Sequence, residues 1–245
     1  MNLGLASGNL YKLFFPKDQN KIIEFFLTLC KKYNFNSYEL TYSCEDELEI
    51  DLNDKSIKFL KALECVSIHY PFHDIIEDNE QTRRIFKKIN QIYHETDSKL
   101  IVTHPEQVKN WDFVKNLEKE FDVKIVTELQ IPSKFHLDGF DKLLSKVDVR
   151  FVFDIGHAEF HDFELLKVFF DKYSNRICEV HLNKVFDNKA HSHFFMHGAS
   201  KTLELVKNLD VPMIIEEAFD PDKIEDIEKE IKYLLNYFLN PDGNM

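Results

Sequence analysis

Eight times along the chain a short β-branched or apolar run is followed by a stretch of helical period, and this alternation limits the fold more than any other feature. The first pair is NLGLAS and DQNKIIEFFLTLCKKY; the last is VPMIIEEAF and DKIEDIEKEIKYLLNYFL. Runs of the first kind suit strands buried on both faces, and apolar residues recurring every three or four positions suit helices that cover them. Eight units in 245 residues leave about 31 residues apiece, the length a strand–helix–strand unit requires. Alternating units imply a parallel sheet, and eight of them imply an α/β fold closed as a (β/α)8 TIM barrel. An open doubly wound sheet is the competing arrangement, but no G-x-G-x-x-G follows the first strand. No Pro/Gly/Ser-rich linker interrupts the pattern, so residues 1–245 are expected to form a single domain.

The formal charge is −12, from 31 basic and 43 acidic side chains. A protein that grips nucleic acid without regard to sequence carries a basic face, so this balance argues against strong DNA binding. The four cysteines, Cys30, Cys44, Cys65 and Cys178, form no C-x-x-C pair, and reduced thiols in a cytoplasmic protein are the expectation. No apolar run approaches the roughly 18 residues of a membrane helix, so no membrane partner is expected.

Chemistry-bearing residues gather where the predicted strands end. The third strand ends at His69, the fourth at His104 and the fifth at Glu128. The sixth supplies Asp154 and His157, and the seventh supplies His181. The long segment after the seventh, NKVFDNKAHSHFFMHGAS, adds His191 and His193, and the eighth strand ends at Glu216 with Glu217 beside it. In a parallel barrel these ends converge on one rim. A single histidine there is commonly structural, and Asp154 alone could cap the following helix. Nine imidazoles and carboxylates on one rim are a different matter, because uncompensated polar groups are costly to cluster. They form the donor set of borderline divalent metals. Glu39, read as the end of the second strand, is a candidate substrate contact. His197 and Glu217 lie near the site without an assigned role. The acidic runs CEDELEIDLND and KIEDIEKEI read as solvated faces, and Cys65 and Cys178 as core.

The ordered set VSIHYPF, LIVTHPE, VTELQ, FDIGHA, VHLNK, the H-x-H of the seventh loop and IIEEA resembles the endonuclease IV family within the xylose isomerase-like barrels. The resemblance spans nearly all eight units. It implies up to three divalent cations, usually zinc. The first would be held by His69, His104 and Glu128. The second would share Glu128 and take Asp154, His181 and Glu216. The third would take His157, His193 and His191, the last standing where the family has Asp. The implied activity is phosphodiester hydrolysis, including DNA cleavage at abasic sites, by water that close metals acidify for in-line attack on phosphorus. Phe72 stands where a Tyr is expected, and with Lys184 of VHLNK it is a candidate substrate contact.

A second class stays open. Related sugar or sugar-phosphate isomerases and epimerases hold one Mn or Mg on two Glu, one Asp and one His, here Glu128, Glu216, Asp154 and His181. Glu128 and Glu216 would then be the catalytic acid and base on a bound ketose. A non-catalytic metal- or sugar-binding barrel is the third option.

Overall fold

The computed structural model describes residues 2–14 and 18–239. Ten strands occur among them: β1 (Leu3–Ala6), β2 (Ser37–Thr41), β3 (Cys65–His69), β4 (Leu100–Thr103), β5 (Ile125–Glu128), β6 (Phe151–Asp154), β7 (Ile177–Leu182), β8 (Lys184–Phe186), β9 (Lys189–Ser192) and β10 (Met213–Ile215). Eight of them pair in parallel and close a barrel in the order β1-β2-β3-β4-β5-β6-β7-β10, with β10 returning to β1. All eight are the strands expected from the alternation. The remaining two, β8 and β9, form an antiparallel hairpin inside the segment that was read as a loop. Its turn residues Asp187 and Asn188 both have positive φ, 52° and 58°, the conformation of a tight two-residue hairpin turn.

The helices are α1 (Gln19–Tyr33), α2 (Asp54–Leu60), α3 (Glu80–Thr96), α4 (Trp111–Phe121), α5 (Leu137–Lys146), α6 (Ile155–Ala158), α7 (Phe163–Tyr173), α8 (Phe194–His197), α9 (Lys201–Val206) and α10 (Glu225–Leu239). Side-chain caps start several of them. Asn79 accepts from Thr82 N at 2.8 Å to open α3, and Asn53 accepts from Ser56 N at 2.9 Å to open α2. The chain has only six glycines, and the left-handed position that ends α1, α3 and α4 is taken by Asn34, Asp97 and Asp122. Their short polar side chains tolerate that conformation best after glycine.

Packing follows from strand alternation. Outward residues meet the helices in one continuous core rich in buried aromatics, among them Phe26, Phe86, Phe140, Phe151 and Phe153. Each such ring contributes roughly 2–3 kcal/mol by leaving water. The inward residues divide by height. Leu100, Val102, Val126, Val152 and Cys178 form a separate apolar cluster toward the base of β4 to β7. One step higher on the same strand faces, two residues along, stand His104, Glu128 and Asp154. No helix among the described residues is long and apolar enough to cross a membrane.

Candidate metal centre

Strand ends carry the site as the alternation implies. Glu128, at the end of β5, is buried and lies at its centre. His69 Nε2 is 3.3 Å and His104 Nε2 3.5 Å from the same oxygen, Glu128 Oε2. The two rings stand nearly perpendicular with centroids 4.8 Å apart. Gln107 braces this side of the rim: its amide donates to Pro71 O and Asp74 O, both at 2.8 Å, and its carbonyl accepts from His104 N at 2.8 Å. The loops after β3 and β4 are thus tied together.

On the other side of Glu128, His181 Nδ1 lies 3.1 Å from Glu216 Oε2, 3.7 Å from Glu128 Oε2 and 3.9 Å from Asp154 Oδ2. Asp154 is fully buried. One of its oxygens caps the short α6 by accepting from His157 N at 2.5 Å, and the other accepts from Asn183 Nδ2 at 2.7 Å. The helix-cap reading of this residue is therefore met, and its second oxygen remains turned toward His181. Donor atoms of His69, His104 and Glu128 lie within 4.8 Å of one another, as do those of Glu128, Asp154, His181 and Glu216. Glu128 belongs to both groups.

These residues fit a cation. His181 Nδ1 and Glu216 Oε2 face each other with no hydrogen-bond partner, although both are buried. Two orphaned lone-pair donors at that separation cost stability unless a proton or a metal lies between them. The electrostatics agree. Burial alone would raise Glu128, but His104, His157 and His69 outweigh it and hold the carboxyl well below the usual range. Burial would lower His69, but the carboxylates of Glu128 and Glu39 lift it to about 9. Desolvation raises Asp154 to about 6.

Of the other expected ligands, His157 touches these groups, and His191 and His193 turn to other partners. His157 Nδ1 lies 2.8 Å from Glu128 Oε1 and 3.0 Å from Leu129 O. His191, at a positive φ of 62°, donates from Nδ1 to Glu216 O at 2.9 Å, and its ring centroid is 5.8 Å from that of His157. His193 donates from Nδ1 to Glu217 Oε2 at 2.6 Å and stacks between Phe195 and Phe219. His157, His191 and His193 do not bring donor atoms together with one another; His193 instead gathers with Glu217 and Glu230, and a further group joins His181 to Glu39 and Glu179. Phe72 is partly exposed and turns its edge toward His69, 6.4 Å between centroids, at the mouth of the site. Lys184 donates to Gly198 O at 2.9 Å, holding the hairpin segment to the loop before α9. His197 stacks flat on Phe186 of the hairpin at 3.7 Å.

Three features were not anticipated. Glu39 is not at a strand end, since β2 runs on to Thr41, and its carboxylate is wholly buried with Oε2 3.3 Å from His181 Nε2. Glu179, two residues before His181, also points inward, and its Oε1 is 3.3 Å from the same nitrogen. Alternation along β7 gives that orientation directly. Glu230 lies within a run read as solvated, yet it is buried and accepts from Phe194 N at 3.1 Å and Phe195 N at 2.8 Å.

Sequence comparison finds no matching protein-family model and no matching curated protein. Comparison of folds does find similar structures. A putative xylose isomerase from Rhodospirillum rubrum superposes with a TM-score of 0.67 at 13% identity, over 96% of this chain and 98% of that one. The 3-keto-D-glucoside 4-epimerase YcjR from E. coli gives 0.64 at 14% identity, over 97% and 99%. Endonuclease IV from Thermus thermophilus gives 0.62 at 13% identity, over 98% of each chain. What these proteins share with this chain is the fold, a closed parallel barrel ringed by helices.

Proposed function

We propose that this xylose isomerase-like barrel is a divalent-metal-dependent phosphodiester hydrolase, with zinc as its resident cation. The observation that carries the reading is the position of Glu128 in both donor groups. A carboxylate shared in this way suits two cations held close together, the arrangement used in phosphoryl chemistry. The fold shared with endonuclease IV supports the same choice.

In this reading His69, His104 and Glu128 hold one cation, and Glu128, Asp154, His181 and Glu216 the other. His157, His191 and His193 would have to draw their donor atoms together to hold a third. Bound cations would supply Lewis-acid charge to the phosphate and an acidified water. The chain's own groups do the rest. Asn183 and His157 N fix both oxygens of Asp154, and Gln107 fixes the loops that carry His69 and His104. Phe72 forms an apolar wall at the mouth. The −12 charge favours a compact phosphodiester over a long DNA duplex, with abasic-site DNA as the demanding case.

The test is turnover of bis(p-nitrophenyl) phosphate and of an abasic duplex by zinc-loaded protein. Chelator-sensitive cleavage is expected for the small diester. Full zinc occupancy without cleavage of either substrate would sink the hydrolase reading.

One observation favours a second reading. The group of Glu128, Asp154, His181 and Glu216 is complete without the others, while His193 is engaged by Glu217. A single Mn or Mg there would suit a sugar or sugar-phosphate isomerase or epimerase, with Glu128 and Glu216 exchanging protons at substrate carbon. Deuterium appearing from solvent at a ketose carbon, with no diester cleavage, would select it.

A further inference from the structure

The histidines of the rim fall into two orientations. His69, His157, His191 and His193 each turn Nδ1 to an acceptor: Tyr70 O at 2.8 Å, Leu129 O at 3.0 Å, Glu216 O at 2.9 Å and Glu217 Oε2 at 2.6 Å. A backbone carbonyl can only accept, so in the neutral rings of His69, His157 and His191 Nδ1 carries the hydrogen and Nε2 the lone pair. His181 is reversed. Its Nε2 points down the barrel, 3.3 Å from Glu39 Oε2 and 3.3 Å from Glu179 Oε1. Its Nδ1 points up toward Glu216, Glu128 and Asp154.

We propose that Glu39 and Glu179 are positioning residues that lock His181 as the Nε2–H tautomer, so that Nδ1 is the donor it offers to a cation. The proposal rests on the metal-centre reading above. Both carboxylates are fully buried, and His181 is the only ion-pair partner of either among the described residues. Their outer contacts are hydroxyls: Ser67 donates to Glu179 Oε1 at 3.1 Å, and Thr41 to Glu39 Oε1 at 3.4 Å. Oε2 of each has no hydrogen-bond partner. Two carboxylates left in an apolar interior are costly, and a single N–H aimed between them is the compensation within reach. A barrel interior is ordinarily filled by branched apolar side chains. Here that rule holds on β4 to β6 and is broken by Glu39 on β2, Ser67 on β3 and Glu179 on β7. Carboxylate partners on the far nitrogen of a ligating imidazole fix its orientation and raise its donor strength.

Uniformly 15N-labelled protein loaded with zinc provides the test. Ring 15N shifts should place zinc on Nδ1 of His181 and the proton on Nε2, the reverse of His69. Zinc affinity, measured by competition with a chelating dye, should fall about 10–100-fold in the Glu39→Gln/Glu179→Gln protein. Circular dichroism should stay unchanged. Zinc on Nε2 of His181, or wild-type affinity in a folded double variant, overturns the proposal and leaves the metal centre standing. Should the double variant not fold, the wild-type spectrum decides alone. Wild-type protein that binds zinc no better than His181→Ala overturns the metal centre itself, and this inference with it.

Discussion

His69 Nε2 lies 3.3 Å from Glu128 Oε2, and the same oxygen is 3.5 Å from His104 Nε2 and 3.7 Å from His181 Nδ1. Three imidazoles from three strands thus converge on one carboxylate oxygen. Replacing it with an amide should disturb both donor groups together. Glu128→Gln is expected to reduce bound zinc from about two equivalents to less than about one, and activity with it. Elemental analysis of dialysed protein checks the count. Unchanged zinc in the variant would remove Glu128 from the bridging position.

The same convergence sets a pH dependence. Burial would lower His69 and His157, but the surrounding carboxylates win and raise them to about 9 and about 10. An unfolded histidine titrates near ~6.5. Their contribution to the metal-free fold is therefore complete below about pH 6.5 and is lost as pH rises through 9 to 10. The melting temperature of chelator-treated protein should decline over that window. Zinc requires neutral imidazoles, so its binding near pH 7 should release protons and tighten as pH rises toward 9. Calorimetry in two buffers of different ionisation enthalpy reads the released protons. A flat melting temperature across the window would show that these histidines are neutral without metal.

How much of this is legible in the sequence depends on the range of the signal. The barrel is legible because each strand–helix unit declares itself locally, and His69, His104, Glu128 and Asp154 are legible because they sit at or just past strand ends. Glu179 was within reach: it has the same parity as His181 in ICEVHL, so both must face inward. The hairpin also had a local signal, the Asp187–Asn188 pair, but its strands are short and half-exposed and do not look like strands. Glu230 was hidden in an acidic run. Its helix buries Ile227, Ile231 and Leu234, and Glu230 shares that stripe because two backbone N–H groups of a distant loop need an acceptor. Nothing local announces such a partner.

Gly156 offers a sharper steric test. A Cβ at this position would lie 1.7 Å from Asn183 Oδ1 and 2.8 Å from its Cγ. Asn183 cannot yield freely, because its amide donates to Asp154 and its carbonyl accepts from His191 N at 3.3 Å. Gly156→Ala should push Asn183 away and leave the buried Asp154 short of a donor, at a cost of about 1–3 kcal/mol. Asn183→Ala should cost a similar amount by losing the donor directly. The double variant should then cost less than the sum, since both changes break one contact. Urea titrations of the three proteins measure this, and strict additivity would mean that Gly156 matters for some other reason.

The hairpin segment depends on a contact from the far end of the chain. Glu230 of α10 accepts from the first two N–H groups of α8, at Phe194 and Phe195. Burial and the neighbouring Glu230 push the Glu217 carboxyl well up, and its Oε1 has no hydrogen-bond partner. Its other oxygen accepts from His193 Nδ1 at 2.6 Å. Donor atoms of His193, Glu217 and Glu230 lie within 4.8 Å of one another, so the last helix closes on a histidine of the rim. Glu230→Ala leaves two N–H groups without acceptors, a loss of about 1–3 kcal/mol confined to this corner. Hydrogen exchange should quicken across residues 184–199 while β2 to β6 keep their protection. Glu230→Gln keeps one acceptor oxygen and should fall between alanine and wild type. Equal protection of 184–199 in the alanine variant would mean that the stacked rings of His193, Phe195 and Phe219, rather than the carboxylates, hold the segment in place.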